Sequence, residues 1–199
     1  MKQFIIILSL IYIGFAWGGV SPGEKAPNIK SVDQTGSKFN LNDYKGKYVI
    51  LEWYNHGCPF VRKHYDSKNM QTIQALYKDN KEVVWVTIVS SAPGKQGHIG
   101  TDKEALKQMI KEGSKADFLL RDVDGGIGKT YGAKTTPHIY IIDHNQIVQY
   151  EGAIDSINST NSADIKEAKN YITSAMSKIM LGNKPSPQKT KPYGCSVKY

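Results

Sequence analysis

Residues 49–65 read VILEWYNHGCPFVRKHY, and this stretch decides the fold. An apolar, β-prone run predicts a buried strand over residues 47–54, which ends in a glycine-containing turn. Cys58 follows the turn, and Pro59 takes the first position of a predicted helix, where its missing N–H costs nothing. The apolar spacing predicts that this helix covers residues 59–77. The stretch therefore places a cysteine at the start of a helix, directly after a buried strand.

The position of Cys58 favours a reactive sulfur. Unpaired backbone N–H groups and the positive end of the helix dipole lie at the start of a helix. They stabilise a thiolate, the form of cysteine that acts as a nucleophile. The only other cysteine in the sequence is Cys195. The two sulfurs form either a redox pair or a structural disulfide, which in a chain-entropy account would stabilise the fold by about 4–5 kcal/mol.

Length and composition predict one domain with extensions. The 199 residues carry a formal net charge of +8, with 40% hydrophobic and 22% charged residues. Four lysines and no acid lie in residues 183–199, so this proline-containing segment supplies half of the charge. We interpret it as a basic, solvated tail with a weak attraction to anionic membrane surfaces. Basic residues do not alternate with aromatic residues in clusters, so nucleic-acid binding is not predicted.

Residues 1–18 have the pattern of a secretory signal peptide. Lys2 precedes an apolar segment, 4–15, that is too short to span a bilayer, and Ala-Trp-Gly then provides a small-x-small cleavage site. We therefore predict a periplasmic or extracellular protein, in a compartment where disulfides persist. An uncleaved membrane anchor is the alternative. The rest of the chain divides into a domain over residues 19–182 and the tail over residues 183–199, which carries the second cysteine.

The rest of the domain alternates strands and helices. A buried strand over residues 83–89 follows the cysteine helix, which predicts a βαβ unit with two parallel strands. Thr101 and Glu104 have the spacing of a capping box, ahead of a helix that ends at Gly113. The other predicted elements are a strand, a short helix, a hairpin and a closing helix, at residues 118–120, 127–131, 138–150 and 164–181.

This element order resembles the thioredoxin fold, and particular segments carry the resemblance. They are the strand before the active turn, a Tyr-Gly-Ala sequence, and a Thr-Thr-Pro sequence that leads into an apolar strand, at residues 46–51, 131–133 and 135–143. Over roughly residues 21–181 they resemble the redoxin branch, which holds the AhpC/TSA peroxiredoxins and the TlpA/ResA-like oxidoreductases. The resemblance implies an α/β thioredoxin fold, with a central mixed sheet flanked by helices and a redoxin-type αβ insertion.

One departure from the thioredoxin pattern limits the chemistry. Thioredoxins use a Cys-x-x-Cys motif, and here Val61 takes the place of the second cysteine. A dithiol reaction confined to this motif is therefore excluded, and an intermediate on Cys58 must be resolved by another thiol. Cys195 is the only candidate in the chain. The resemblance implies that a thioredoxin-like reductant restores the dithiol after a disulfide has formed, within one chain or between two.

A second departure concerns peroxide binding. The resemblance places Asn55 where peroxiredoxins carry Thr or Ser, and Pro137 where they carry arginine. An asparagine amide is able to donate hydrogen bonds to a peroxide oxygen. Arg62, one helical turn after Cys58, is expected to lower the pKa of that cysteine. We therefore predict a thiol peroxidase or thiol–disulfide oxidoreductase, whose substrate is a hydroperoxide or a protein or peptide disulfide.

Five residues complete the predicted site. Pro137 after Thr136 matches the thioredoxin-family cis-proline, whose preceding backbone groups pair with an extended substrate strand. His138 is expected in the wall of the site and Trp53 beside the sulfur. Glu52 is an acid in a buried strand, which is unusual, and redoxins use such an acid as a proton relay to the cysteine.

Two alternatives remain open. The first is a non-catalytic binding module with a structural Cys58–Cys195 disulfide that resists glutathione. The second is a metal-binding thioredoxin-fold protein that uses Cys58 with His56, His64 and His138. None of these residue pairs has the spacing of a tight metal motif, so neither a metal nor another cofactor is predicted.

Overall fold

The computed structural model describes residues 19–199, so the predicted signal peptide lies outside the described residues. Within residues 19–199, no helix has both the length and the apolar character needed to cross a bilayer. The strands are, in chain order, β1 (Lys30–Val32), β2 (Lys38–Asn40), β3 (Tyr48–Trp53), β4 (Val83–Val89), β5 (Phe118–Arg121), β6 (Thr135–Thr136), β7 (His138–Ile142), β8 (Val148–Gly152) and β9 (Cys195–Ser196). The helices are α1 (Pro59–Asp66), α2 (Asn69–Lys78), α3 (Asp102–Glu112), α4 (Gly126–Tyr131) and α5 (Tyr171–Ile179), and 3₁₀ turns cover Leu41–Tyr44 and Ser162–Lys166.

Five strands form the central sheet, in the order β5-β4-β3-β7-β8. The pairs β3–β4 and β4–β5 are parallel, while β3–β7 and β7–β8 are antiparallel. The predicted βαβ unit, the hairpin and the mixed sheet are therefore confirmed. β3 lies in the middle because its apolar residues suit burial on both faces of the sheet.

The sheet separates two apolar clusters, since successive side chains of a strand point to opposite faces. On one face, Ile50 of β3 contributes to a cluster that contains Tyr54, Cys58 and residues of α1, α2 and α5. On the other face, Leu51 and Trp53 pack with Tyr131 at the end of α4. The alternation along β3 therefore decides which predicted site residues share a face with Cys58.

The predicted helix over residues 59–77 is two helices. Lys68 has a left-handed backbone (φ 62°) between α1 and α2. The hydroxyl of Ser67 donates a hydrogen bond to the carbonyl oxygen of Lys63, one turn earlier, at 2.6 Å. Such a local bond competes with the helical pattern. The apolar spacing continues across this break, which is why the sequence pattern predicts one helix.

The closing helix is also shorter than its predicted span, residues 164–181. Asn170 is the N-cap of α5, and its side chain accepts a hydrogen bond from the N–H of Thr173. The residues before it form the 3₁₀ turn and a loop. An asparagine inside an apolar pattern therefore marks the start of the helix.

The tail does not extend into solvent as predicted, because it lies along the domain. β9 pairs with β6 in an antiparallel ladder. Further upstream, the N–H of Glu151 in β8 donates to the carbonyl oxygen of Gln188, and the N–H of Thr190 donates back to Glu151, both at 3.0 Å. At the end of the chain, the hydroxyl of Tyr199 donates to the carbonyl oxygen of Ala133 at 3.1 Å.

Glycines of the domain leave room for the tail. A Cβ on Gly152 would overlap the side chain of Thr190, and a Cβ on Gly125 or Gly128 would overlap the ring of Tyr199. The tail therefore contacts bare backbone near both of its ends. These contacts depend on the absence of side chains, so no apolar pattern in the sequence predicts them.

Candidate active site

Cys58 caps the N-terminus of α1, as predicted. Its backbone is extended (φ −83°, ψ 123°), and Pro59 takes the first helical position. The N–H groups of Val61 and Arg62 donate to the carbonyl oxygen of Cys58 at 3.0 and 2.9 Å. The cysteine is 0% exposed, so a reactant reaches it only where the covering residues move.

The short ladder between β6 and β9 brings the second cysteine to the first. Cys195 is paired with Thr136 and Ser196 with Thr135. The carbonyl oxygen of Thr136 also accepts a hydrogen bond from Sγ of Cys58 at 3.0 Å. Thr136 therefore contacts both cysteines, which are free thiols in this structure. The peptide bond from Thr136 to Pro137 is cis, as predicted.

The two thiols differ in acidity. Burial opposes ionisation of Cys58, but hydrogen bonds from Cys195, from the N–H of Val61 and from Thr136 outweigh it, so the pKa of Cys58 lies below its ordinary value. Burial, followed by contact with Cys58, raises the pKa of Cys195 to about 11. The buried hydroxyl of Thr136 has no hydrogen-bond partner among residues 19–199 and is therefore available to a thiolate at Cys58. Of the two thiols, Cys58 is therefore the one that ionises first as the pH rises.

Asn55 lies in the turn before Cys58, where its side chain holds two loops together. Its Oδ1 accepts from the N–H of Gly57 at 2.9 Å, and its Nδ2 donates to the carbonyl oxygen of Gln96 at 3.0 Å. The residue is 1% exposed. These contacts give Asn55 a structural role in the turn, and its predicted contact with a peroxide stays a prediction.

Arg62 is engaged by carboxylates. Its guanidinium forms two hydrogen bonds with Glu112, at 2.6 and 2.7 Å, and an ion pair with Asp66 at 2.9 Å. The hydrogen bonds that Arg62 donates to Glu112 are the main reason why the pKa of Arg62 is raised. The positive charge of Arg62 is therefore balanced locally by acids, and its predicted action on Cys58 stays a prediction.

Glu52 is buried on the same face of β3 as Tyr54, as the alternation requires. The hydroxyl of Tyr65 donates to its Oε1 at 2.8 Å, and Trp85 donates to its Oε2 at 2.9 Å. Burial raises the pKa of Glu52 to about 7, although these hydrogen bonds and one from Gln74 oppose the change. The carboxyl group is therefore able to exchange a proton near neutral pH, as a relay requires.

We expect the wild type to lose stability as the pH rises, and the Glu52→Gln variant to lack this loss. An acid whose pKa is raised by folding binds more protons in the native state, so its stabilising contribution is complete below about pH 4.5 and is lost as the pH rises through about 7. The loss should be on the order of 3 kcal/mol.

Urea unfolding at about pH 5 and about pH 8 measures this difference. Glu167→Gln is the control, since the side chain of Glu167 is 70% exposed. Contributions from buried histidines are common to all the variants and cancel in the comparison. An equal pH dependence for the wild type and Glu52→Gln would contradict the perturbed pKa.

The predicted contact of Trp53 with the sulfur is corrected by the structure. Trp53 points to the face of the sheet opposite Cys58, because the side chains of β3 alternate and Trp53 shares its face with Leu51. There it lies near His138, with ring centroids 6.4 Å apart. His138 is buried and its Nε2 lies 3.0 Å from Oε2 of Glu151. It adjoins Pro137 in the chain, and its predicted place in the site wall stays a prediction.

A buried polar cluster that the sequence pattern does not predict anchors the tail beside Cys195. Tyr193 donates its hydroxyl hydrogen to Asp155. Lys63 of α1 lies 3.0 Å from the same carboxylate, and its side chain is 0% exposed. A Tyr-Gly sequence directly before the cysteine is the only trace of this arrangement in the sequence, since the partners come from three separate segments.

The structure does not bring together the cysteine and three histidines of the alternative metal site, which are Cys58, His56, His64 and His138. Among residues 19–199, no group of three or more histidine, cysteine or acidic side chains has the geometry of a metal site. Nδ1 of His64 faces the amide of Asn69 at 2.8 Å, and His138 faces Glu151. That the protein holds no metal stays a prediction.

Comparison with known proteins agrees with this geometry. The chain is 28% identical over 132 residues to the thioredoxin-like protein YneN of Bacillus subtilis, a match that covers 66% of this chain and 71% of YneN. It is 31% identical over 121 residues to the thiol-disulfide oxidoreductase ResA of Bacillus cereus, covering 61% of this chain and 63% of ResA. A conserved protein of Geobacillus kaustophilus has a structure with a TM-score of 0.72 at 24% identity, covering 89% of this chain and 92% of that one.

The predicted thioredoxin fold is thus confirmed, with its mixed five-stranded sheet and flanking helices. The model of the AhpC/TSA family matches residues 22–151, which include β3, the cysteine turn, the Thr136–Pro137 bond and all of β8 but its last residue. By this match and by the placement of Cys58, the chain belongs to the AhpC/TSA family.

Proposed function

We propose that this protein is an exported thiol–disulfide oxidoreductase, with Cys58 as the nucleophile and Cys195 as the resolving cysteine. One observation carries the proposal: the β6–β9 ladder holds Cys195 next to a buried Cys58 of lowered pKa. The similarity to ResA, whose name is that of a thiol-disulfide oxidoreductase, supports the same class of reaction. An extracytoplasmic location is supported by the pattern of residues 1–18.

In the first step, the Cys58 thiolate attacks one sulfur of a substrate disulfide. A bond forms between Cys58 and that sulfur, the substrate S–S bond breaks, and the second substrate sulfur leaves as a thiolate. The N–H of Val61 and the Thr136 hydroxyl stabilise the attacking charge. The product is a mixed disulfide on Cys58.

In the second step, Cys195 attacks Cys58. Its pKa of about 11 is raised first by burial and then by contact with the Cys58 sulfur. Once Cys58 is in a mixed disulfide, its negative charge is gone, so this second cause disappears and Cys195 becomes more acidic. Its thiolate forms the Cys58–Cys195 disulfide and displaces the substrate thiolate, and an external dithiol reductant of the thioredoxin type then restores both thiols.

A polypeptide disulfide fits the site better than a hydroperoxide. Asn55, which is predicted to contact a peroxide, is bound to Gln96, and the nearby positive charge of Arg62 is bound to Glu112. The backbone edge at β6 already pairs with an extended segment of polypeptide. We therefore expect hydrogen peroxide to oxidise reduced protein at a rate close to that of a free thiol, as followed by tryptophan fluorescence. A rate orders of magnitude higher would replace this proposal with a peroxidase.

Redox titration tests the proposal. The full-length chain is equilibrated in glutathione buffers of stepped potential, its free thiols are alkylated, and the products are identified by mass spectrometry. We expect a reversible Cys58–Cys195 disulfide within the range that glutathione sets, and none in Cys58→Ser. A bond that persists in reduced glutathione would instead indicate a structural disulfide and a non-catalytic module.

A further inference from the structure

We propose that the tail is a tethered ligand of a strand-binding site, and that the same site accepts an extended polypeptide with an aromatic-Gly-Cys sequence. The tail and this partner then occupy the site in turn. The inference rests on the proposed function, because it identifies the class of substrate that Cys58 attacks. It depends on contacts made by the segment from Tyr193 to Lys198.

The first observation is that backbone groups hold the segment. Thr136 is paired with Cys195 in an antiparallel ladder, and the N–H of Val197 donates to the carbonyl oxygen of Lys134 at 3.2 Å. The N–H of Ala92 then donates to Lys198 at 2.8 Å. Bonds of this kind are available to any extended chain, as in strand addition at the edge of a sheet. The strand-binding site therefore accepts extended polypeptide through its backbone, and the side chains of the bound segment determine which sequences fit.

The second observation is an aromatic subsite two positions before the cysteine. The ring of Tyr193 lies 5.9 Å from the ring of Phe60 and 5.7 Å from Nζ of Lys63. Its hydroxyl donates to Asp155, and the residue is 8% exposed. A groove of about 510 Å³ runs beside this subsite and is lined in part by Tyr171. The subsite thus suits an aromatic side chain, with a hydrogen-bond acceptor at its inner end.

The third observation is a requirement for glycine just before the cysteine. Gly194 has a positive φ of 134°, and a Cβ at this position would overlap the carbonyl oxygen of Thr136. That oxygen also accepts the hydrogen bond from Cys58. A larger residue would therefore push the strand away from the atom that contacts the nucleophile. These three contacts together give the aromatic-Gly-Cys pattern.

Because the tail and the partner use the same strand-binding site, resolution of the mixed disulfide and release of the partner are coupled. The partner enters with its cysteine in a disulfide, and attack by Cys58 leaves the partner's strand in the strand-binding site as a mixed disulfide. Return of the tail delivers Cys195, which forms the new bond to Cys58 and breaks the bond to the partner. The same movement replaces the partner's backbone pairing at Thr136. Chemical resolution and release of the product are then one step.

The test measures the attack of Cys58 on a disulfide in the full-length Cys195→Ser variant, which cannot resolve the mixed disulfide that forms. The probe is a peptide with the sequence of residues 191–199, Lys-Pro-Tyr-Gly-Cys-Ser-Val-Lys-Tyr, whose cysteine is a mixed disulfide with thionitrobenzoate. N-acetylcysteine in the same mixed disulfide is the reference probe without a strand. Release of thionitrobenzoate is followed by absorbance.

Adding Gly194→Ala should displace the tail and raise the rate with the peptide about tenfold or more, and the rate with the reference probe by less. The matched control is Gly182→Ala, which also has a positive φ (75°) but has no atom within 4 Å of its Cβ position. It should leave both rates unchanged. Tyr193→Ala, which loosens the tail at the aromatic subsite, should act in the same direction as Gly194→Ala.

Peptides with alanine in place of the glycine or of the first tyrosine should react like the reference probe. Equal rates for the peptide and the reference probe in Gly194→Ala and in Tyr193→Ala would overturn the strand-binding site. Fast release from the reference probe would still support Cys58 as a nucleophile in that case. If Cys58 reacts with neither probe in any variant, the proposed function itself fails.

Discussion

Replacing Cys195 with serine should lower steady-state disulfide reduction on the order of 100-fold or more, because a tethered thiol is far more effective than one in solution. The first attack by Cys58 should change little. A serine hydroxyl occupies nearly the same space and is able to donate the hydrogen bond that helps to lower the pKa of Cys58. The variant should therefore accumulate a mixed disulfide between Cys58 and the substrate.

Single-turnover and steady-state rates, measured with one peptide disulfide, separate the two steps. Ser196→Ala is the matched control, since it removes an exposed side chain from the same strand and leaves the thiol in place. Cys195→Ala should raise the pKa of Cys58, visible in the pH dependence of its alkylation, because the hydrogen-bond donor is lost. Normal steady-state turnover in Cys195→Ser would mean that an external thiol resolves the intermediate.

Asp155→Ala should have the largest effect on stability, with a loss of about 3–5 kcal/mol. The side chains of Lys63 and Asp155 are 0% and 3% exposed, and their charged atoms lie 3.0 Å apart. Without the carboxylate, Lys63 keeps its hydrogen bond to the carbonyl oxygen of Ile157 at 2.9 Å but loses its counter-charge. A buried ammonium group without a counter-charge is costly, and the hydroxyl of Tyr193 loses its acceptor as well.

Urea unfolding of the reduced chain measures the loss of stability. Asp66→Ala is the control: it also breaks an ion pair of α1, at 2.9 Å, but the side chain of Asp66 is 70% exposed. Its effect should lie within about 1 kcal/mol. The double variant Lys63→Met/Asp155→Leu should recover much of the loss, because both charges are removed together. A similar small effect of Asp155→Ala and Asp66→Ala on the free energy of unfolding would show that the buried ion pair does not stabilise the fold.

The sequence predicts the part of the site that depends on local pattern. The apolar run of β3 and the proline after Cys58 each act through their immediate neighbours, and the structure confirms the strand and the helix start. The cis bond before Pro137 is expected instead from the resemblance to the thioredoxin family, and the structure has it. The burial of Glu52 is likewise visible, since an acid interrupts an otherwise apolar strand. Such features require no knowledge of which segments meet in space.

The path of the tail is not predictable by the same means. Its lysines and prolines are typical of a solvated segment, yet backbone hydrogen bonds and bare glycines of the domain hold it in place. Asp155, Lys63 and Tyr193 meet only after folding. The sequence position of Arg62, one turn after Cys58, likewise gives no sign that its guanidinium pairs with Glu112 of α3 at 2.6 Å.

The contact between residues 188–190 and β8 covers a sheet edge, and we expect this cover to limit aggregation. β8 is an edge of the central sheet, and an uncovered edge presents N–H and C=O groups that recruit strands from other molecules. Pairing of Gln188 and Thr190 with Glu151 covers part of this edge. If only residues 193–199 lift away to admit a partner, that cover stays in place. Proteolytic loss of the chain from Pro187 onward would remove it and favour edge-to-edge association of damaged molecules.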